Sequence, residues 1–231
     1  MHIDLWNRLN MDIINCRRCP RLVEYREYIA RRKVRRFMDW NYWGRPVPGY
    51  GDINARFLIV GLAPAAHGAN RTGRIFTGDS SGDWLFKALY ETGFANQPSS
   101  TARDDGLKVE DVYITAIVRC APPKNLPNRE EIINCREYLK RELSLLSNVK
   151  VILCLGHLSW RNTLETLYEM GVIPVKRLEF GHGKEYKLGG LTLISSYHPS
   201  RQNTQTGKLS WNMWISIFNR IRNILSKLDR I

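Results

Sequence analysis

No apolar run in this 231-residue chain reaches the ~20 residues that a membrane-crossing helix requires. The start, MHIDLWNRLNMDIINC, has no basic stretch leading into an apolar one, so no secretory leader is expected. An intracellular chain is therefore expected, with its thiols kept reduced. The motif GxxxxGK followed by Ser or Thr is absent, which argues against nucleoside triphosphate hydrolysis. GxGxxG is also absent, which argues against a dinucleotide fold. There is no internal repeat and no low-complexity tract. Acidic residues are in short supply: 22 Asp and Glu face 35 Lys and Arg, leaving a net charge of +13. A surplus of that size favours a polyanionic partner, either nucleic acid or an anionic membrane surface.

What is present reads as an α/β protein. Four short apolar runs recur at 56–61, 112–118, 149–155 and 191–197. Continuous runs of this length suit strands buried on both faces. Helical patterns separate them at 82–92, 128–146 and 157–170. Asp79, Ser80 and Ser81 offer a cap before the first, and Asn128 with Glu130 and Glu131 opens the second. A last helix near 208–228 lines up Trp214, Ile217, Phe218, Ile221, Ile224 and Leu228. Residues 2–37 read as helical with a break near Cys16–Pro20, residues 41–54 as an irregular connection, and 95–106 as a surface loop. The expected fold is a three-layer α/β/α sandwich with a central four-stranded parallel sheet. One domain over 1–231 is expected, with an N-terminal helical segment over 1–50.

Sites in such sheets form in loops at the carboxyl ends of strands. The loop after the first strand, 61–82, is long and Gly-rich and offers Phe76 among basic residues, as a base-stacking pocket requires. Phe76 serves equally well as a core anchor, and Asp79 as a plain helix cap. The loop after the fourth strand, YHPSRQNTQTGK, puts His198 at the strand end. A histidine there can donate to a developing anion. Ser200, Arg201, Asn203 and Lys208 beside it suit phosphates and base edges. The basic run RRKVRR (31–36) reads as a solvated helix face.

Of five cysteines, Cys16 and Cys19 form a C-x2-C pair, whereas Cys120 and Cys135 stand too far apart for a zinc ribbon. Four thiolates can bind zinc or an iron–sulfur cluster, and the spacing leaves both open. Cys154, inside a strand, reads as a small core residue.

GLAPAAHG (61–68), GRIFTGDSSG (73–82), RCAPP (119–123) and HPSRQNTQTG (198–207), with YWGRPVPG (42–49) before them, resemble the family 5, or class B, uracil-DNA glycosylases. The resemblance runs in order along nearly the whole chain. It implies a structural 4Fe-4S cluster held by Cys16, Cys19, Cys120 and Cys135. It also implies that Asp79 replaces the Asp or Asn that related classes carry in their first motif. Ala116 stands where those classes carry a uracil-reading Asn, and Asn125 is the candidate replacement. The implied reaction is hydrolysis of the N-glycosidic bond of uracil, and of other deaminated bases, in DNA. In it Phe76 stacks on the flipped base, Ala65 and Ala66 amides bind its carbonyls, His198 donates to O2, and Asp79 serves the sugar and the water. The expected partner is uracil-containing duplex, with single-stranded DNA and a sliding clamp or other repair protein as further partners, and the expected state is a monomer. Two rivals remain: a non-catalytic, metal-stapled nucleic-acid-binding module, and a glycosylase/lyase using a lysine such as Lys124.

Overall fold

The computed structural model describes residues 2–229. The chain opens with helices α1 (His2–Ile14) and α2 (Pro20–Arg32), the second started by proline in its first turn. A two-residue strand β1 (Tyr50–Gly51) leads into β2 (Phe57–Gly61), the single turn α3 (Ala69–Thr72) and α4 (Ser80–Glu91). Then come β3 (Val112–Ala116), α5 (Arg129–Leu145), β4 (Val151–Leu155) and α6 (His157–Glu169). The hairpin β5 (Lys184–Leu188) and β6 (Leu191–Ser196) comes next, then α7 (Arg201–Gln205) and α8 (Trp211–Leu228).

The sheet has six strands, in the order β1-β3-β2-β4-β6-β5. The inner four are parallel, as the apolar runs predict, and an antiparallel strand is added at each edge. Phe57 and Ile59 of β2 join the core beneath α4 and α8, together with Phe86, Trp214 and Phe218. Leu58 and Val60 join the opposite core, where Trp6 of α1, Tyr138 of α5 and Trp160 of α6 pack. Burial on both faces is why the inner strands read as unbroken apolar runs. No described helix is long and apolar enough to cross a membrane.

Local chemistry sets the helix ends. Asn128 and Glu131 form a reciprocal capping box at the start of α5. Helix α8 starts at Trp211, behind its N-cap Ser210, and buries Trp214, Ile217, Phe218, Ile221 and Leu225; Leu228 is exposed. The RRKVRR run is not one helix face, because α2 ends at Arg32 and Lys33 takes a left-handed φ of 55°. Segment 95–106 is held more firmly than a free surface loop. Arg74 grips Asp105 with both carboxylate oxygens at 2.7 Å, and the Gly78 amide donates to the Ser100 carbonyl.

The chain leaves β2 to one side for β3 and returns to the other side for β4. The carboxyl ends of β2 and its neighbours therefore open a crevice at this reversal of strand order.

Candidate active site

The loops after β2, β3 and β6 meet around a cavity of about 530 Å³. Its wall includes Ala65, Phe76 and Asp79 from the first loop, Asn125 from the second, and His198, Ser200 and Arg201 from the third. Residues of three motifs far apart in sequence thus share one cavity.

Phe76 lies at φ 52°, a left-handed conformation that is rare for a bulky residue. Its ring occupies the space above Gly61, where an added Cβ would stand 2.8 Å away. Its carbonyl lies 1.9 Å from where a Cβ on Gly82 would be. Glycine is therefore required at the end of β2 and in the first turn of α4 for this residue to sit as it does. The ring is 8% exposed and stacks beside the His198 imidazole, with centroids 6.0 Å apart and planes 27° apart. Phe76 is packed in the core and also lines the cavity.

Asp79 caps α4. Its Oδ1 accepts from the Ser81 and Gly82 amides at 3.0 Å each. Oδ2 stays outside the cap and stands over Gly68, where a Cβ would approach to 2.2 Å. Asp79 thus holds the helix through one oxygen, leaves the other out of the cap, and lines the cavity.

The His198 ring makes no hydrogen bond among the described residues. Its backbone is fixed instead: the His198 carbonyl accepts from the Ser200 amide and from Asn203 Nδ2, both at 2.8 Å. Burial pushes the imidazole pKa below its ordinary value, and the Asp79 carboxylate acts the other way. At neutral pH the ring is therefore uncharged, with one N–H free to donate.

The remaining sequence candidates fall on both sides of the wall. Asn125 lines the cavity from a 3-10 turn in which it and Lys124 both take φ 56°, a conformation asparagine tolerates. Ala66, Asn203, Lys208 and Lys124 do not line it. Asn203 braces the His198 loop, and the Lys208 ammonium lies 4.9 Å above the Tyr197 ring. Ala65 and Ala66 amides donate to no protein group among the described residues, although the Ala65 carbonyl accepts from Gly68 and Asn70. Ile75 and Gln202 also line the cavity and are not marked by sequence: an apolar Ile75 carries no chemical signature, and Gln202 is one polar residue within a polar run.

Away from this cavity, Cys16, Cys19, Cys120 and Cys135 line one narrow cleft with Arg119 and Pro46. Buried Arg26 donates from Nη1 to Cys120 Sγ at 2.9 Å, and Asn134 donates to Cys19 Sγ at 3.6 Å. Burial pushes the Cys120 thiol up to about 11 and the Cys135 thiol up to about 12. Among the described residues no three His, Cys, Asp or Glu side chains stand as ligands of a single metal ion. Cys154 is buried within β4, as the sequence suggests for a core residue.

The sequence profile of the Uracil DNA glycosylase superfamily matches residues 48–222, a stretch that carries all three cavity loops. The chain belongs to the uracil-DNA glycosylase superfamily. It is 46% identical to a type-5 uracil-DNA glycosylase of Pyrobaculum aerophilum, over 94% of this chain and 90% of that one. It is 48% identical to the type-5 uracil-DNA glycosylase of Mycobacterium leprae, over 94% of both chains. Identity to a type-4 uracil-DNA glycosylase of Pyrobaculum aerophilum is 30%, over 84% of this chain and 82% of that one. The superfamily match begins after Cys16, Cys19 and the aromatic residues 37–43, so that N-terminal part lies outside the shared profile.

Proposed function

We propose that this superfamily member hydrolyses the N-glycosidic bond of uracil in DNA and leaves an abasic site. The observation that carries the reading is one cavity lined by an uncharged His198 whose ring makes no hydrogen bond among the described residues, by Phe76 stacked beside it, and by Asp79. The identity to type-5 uracil-DNA glycosylases points to the same chemistry.

The target nucleotide must leave the base stack, since its glycosidic bond is shielded within the duplex. The flipped base enters against Phe76, with the free Ala65 amide near its carbonyls. As the bond from C1′ to N1 breaks, its electron pair passes to the base and charge builds on O2. The His198 N–H donates to that oxygen, and a neutral donor can do so without giving up its proton. Positive charge builds on the sugar, where Asp79 stabilises it and orients water for addition at C1′; the proton that water gives up passes to the departing uracil anion, which leaves as neutral uracil. No lysine enters the cavity wall, so a Schiff-base route through Lys124 is not part of the reading. The net charge of +13, with Arg201 at the rim, suits a duplex backbone. An excision assay on duplexes carrying uracil, hypoxanthine and other deaminated bases tests this: alkali-labile sites should form at uracil, and no product should be trapped by borohydride. Absence of any excision would overturn it.

We further read Cys16, Cys19, Cys120 and Cys135 as ligands of a 4Fe-4S cluster. Four thiols around one cleft, with a guanidinium donating to one sulfur, suit an anionic cluster that these residues would hold. Its part would be structural, joining α1 and α2 to the loop after β3. Protein purified without oxygen should be brown and carry about four irons per chain, and serine at any of the four cysteines should lower that content. Colourless, zinc-loaded protein would sink the assignment.

A further inference from the structure

The one turn of α3 carries a feature that the reaction above does not use. Arg71 is 3% exposed, yet it makes no ion pair among the described residues. Its guanidinium sits in the corner formed by two aromatic rings that stand 74° apart, 3.8 Å from the centroid of Phe37 and 3.9 Å from that of Trp40. Nε donates to the His67 carbonyl at 2.8 Å, and Nη2 donates to the Gly78 carbonyl at 3.1 Å. Nη1 is buried without a partner.

These two carbonyls matter because of the residue that comes after each in the chain. Gly78 immediately precedes Asp79. His67 immediately precedes Gly68, the residue over which Asp79 Oδ2 stands. One planar group therefore fixes both the peptide that carries the carboxylate and the peptide on which it rests. The fit is tight, since a Cβ on Gly78 would come within 2.2 Å of Arg71 Nη2. The N-terminal segment closes around the arrangement. Tyr42 Oη lies 3.1 Å from His67 Nδ1, and the Trp43 and Gly44 amides donate to the carbonyls of Arg71 and Asn70.

We infer that Arg71, clasped by Phe37 and Trp40, is the positioning residue that sets Asp79 for reaction. The inference rests on Asp79 acting as read above. Stability alone does not account for the residue. A buried charge with no ion pair and an orphaned donor is costly, and apolar residues of similar volume at such places are often neutral or stabilising. Lysine has no planar fork that could rest in the corner of the two rings and reach both carbonyls. The clasp residues 37–42 lie before residue 48, where the superfamily profile begins. The shared fold core supplies the carboxylate, and the N-terminal segment of this chain aligns it.

The test is a double-mutant cycle between Arg71→Met and Asp79→Asn, read by single-turnover excision and by affinity for uracil duplex. With Asp79 intact, Arg71→Met should slow excision about 100-fold, as an ångström-scale misplacement does. Affinity should move by less than about threefold. When Asp79→Asn is already present, adding Arg71→Met should cost less than about threefold in rate, because coupled residues are not additive. Arg71→Lys should not restore the rate. Phe37→Leu with Trp40→Leu keeps the guanidinium and loosens its seat; it should slow excision in the same way, and it carries the test if Arg71→Met does not fold. Equal costs in both backgrounds, a loss confined to affinity, or a wild-type rate for Arg71→Lys would overturn the inference. A wild-type rate for Asp79→Asn alone would instead remove the reading of Asp79 on which it rests.

Discussion

Replacing His198 with alanine is expected to slow uracil excision by about 10²–10³-fold in single-turnover assays, the usual loss when one donor to a developing oxyanion is removed. Duplex affinity should change little, because the His198 ring lies at the pocket wall and its neighbours Ser200 and Arg201 remain. The loop itself should hold, since its brace runs through the His198 carbonyl and Asn203 rather than through the ring. The pH response carries a sign. Burial puts the folded pKa of His198 below its ordinary value of 6.5. The neutral form is therefore favoured in the folded state, and the associated stability is complete above the unfolded value. It is lost as pH falls through the folded value, because the unfolded state then binds the extra proton. Excision should accordingly persist below pH 6.5 on the His198 side, and His198→Ala should remove this contribution to acid sensitivity. A wild-type rate in the alanine variant would remove His198 from the reaction.

The second large effect concerns stability. Arg119 and Glu142 form an ion pair whose side chains are 2% and 0% exposed, with Nη2 to Oε2 at 2.5 Å. Thr115 donates to the same carboxylate and accepts from Arg119. The Tyr113 hydroxyl, its pKa pushed well up by burial and by Glu142, stays protonated and donates as well. Arg119→Ala leaves a carboxylate buried without its cation, which typically costs about 3–5 kcal/mol. For a chain of this size that corresponds to a fall in Tm of roughly 6–20 °C. Replacing both members, Arg119→Met with Glu142→Leu, should recover most of the loss, since a buried pair is weak evidence of net stabilisation. Thermal melts of the two variants check this, and a single variant that melts like wild type would refute it. Arg119 immediately precedes Cys120, so iron content read on the same samples separates a fold defect from a cluster defect.

The inner sheet was legible because burial on both faces leaves unbroken apolar runs. The two edge strands were not. Strand β5 reads Lys-Glu-Tyr-Lys-Leu, half-exposed and charged, and β1 is two residues inside a Gly- and Pro-rich stretch. Turns as short as α3 and α7 carry no period to detect. The choice of Leu228 over Leu225 in α8 shows the limit of periodicity, since both fit a helical face and only packing decides. The cavity was legible where chemistry is concentrated, at Asp79 and His198. It was illegible where backbone shape matters: the left-handed Phe76 and the glycines beneath it follow from three-dimensional crowding. Arg71 reads from sequence only as one of the basic residues of the 61–82 loop around Phe76. The signal that could have marked it was Phe37 and Trp40, two aromatics three residues apart beside a basic run, with no apolar face to join.

The antiparallel edge strands have a further effect on life at high local concentration. An open parallel sheet ends in a row of unpaired amides and carbonyls that invites another chain to dock by strand addition. Here one border is closed by a strand of two residues, too short to template a partner. The other carries Lys184, Glu185 and Lys187, of which Glu185 is paired with Arg220 of α8. Copies crowded along one stretch of damaged duplex therefore meet charged or truncated borders, and their sheets give each other little to fuse through.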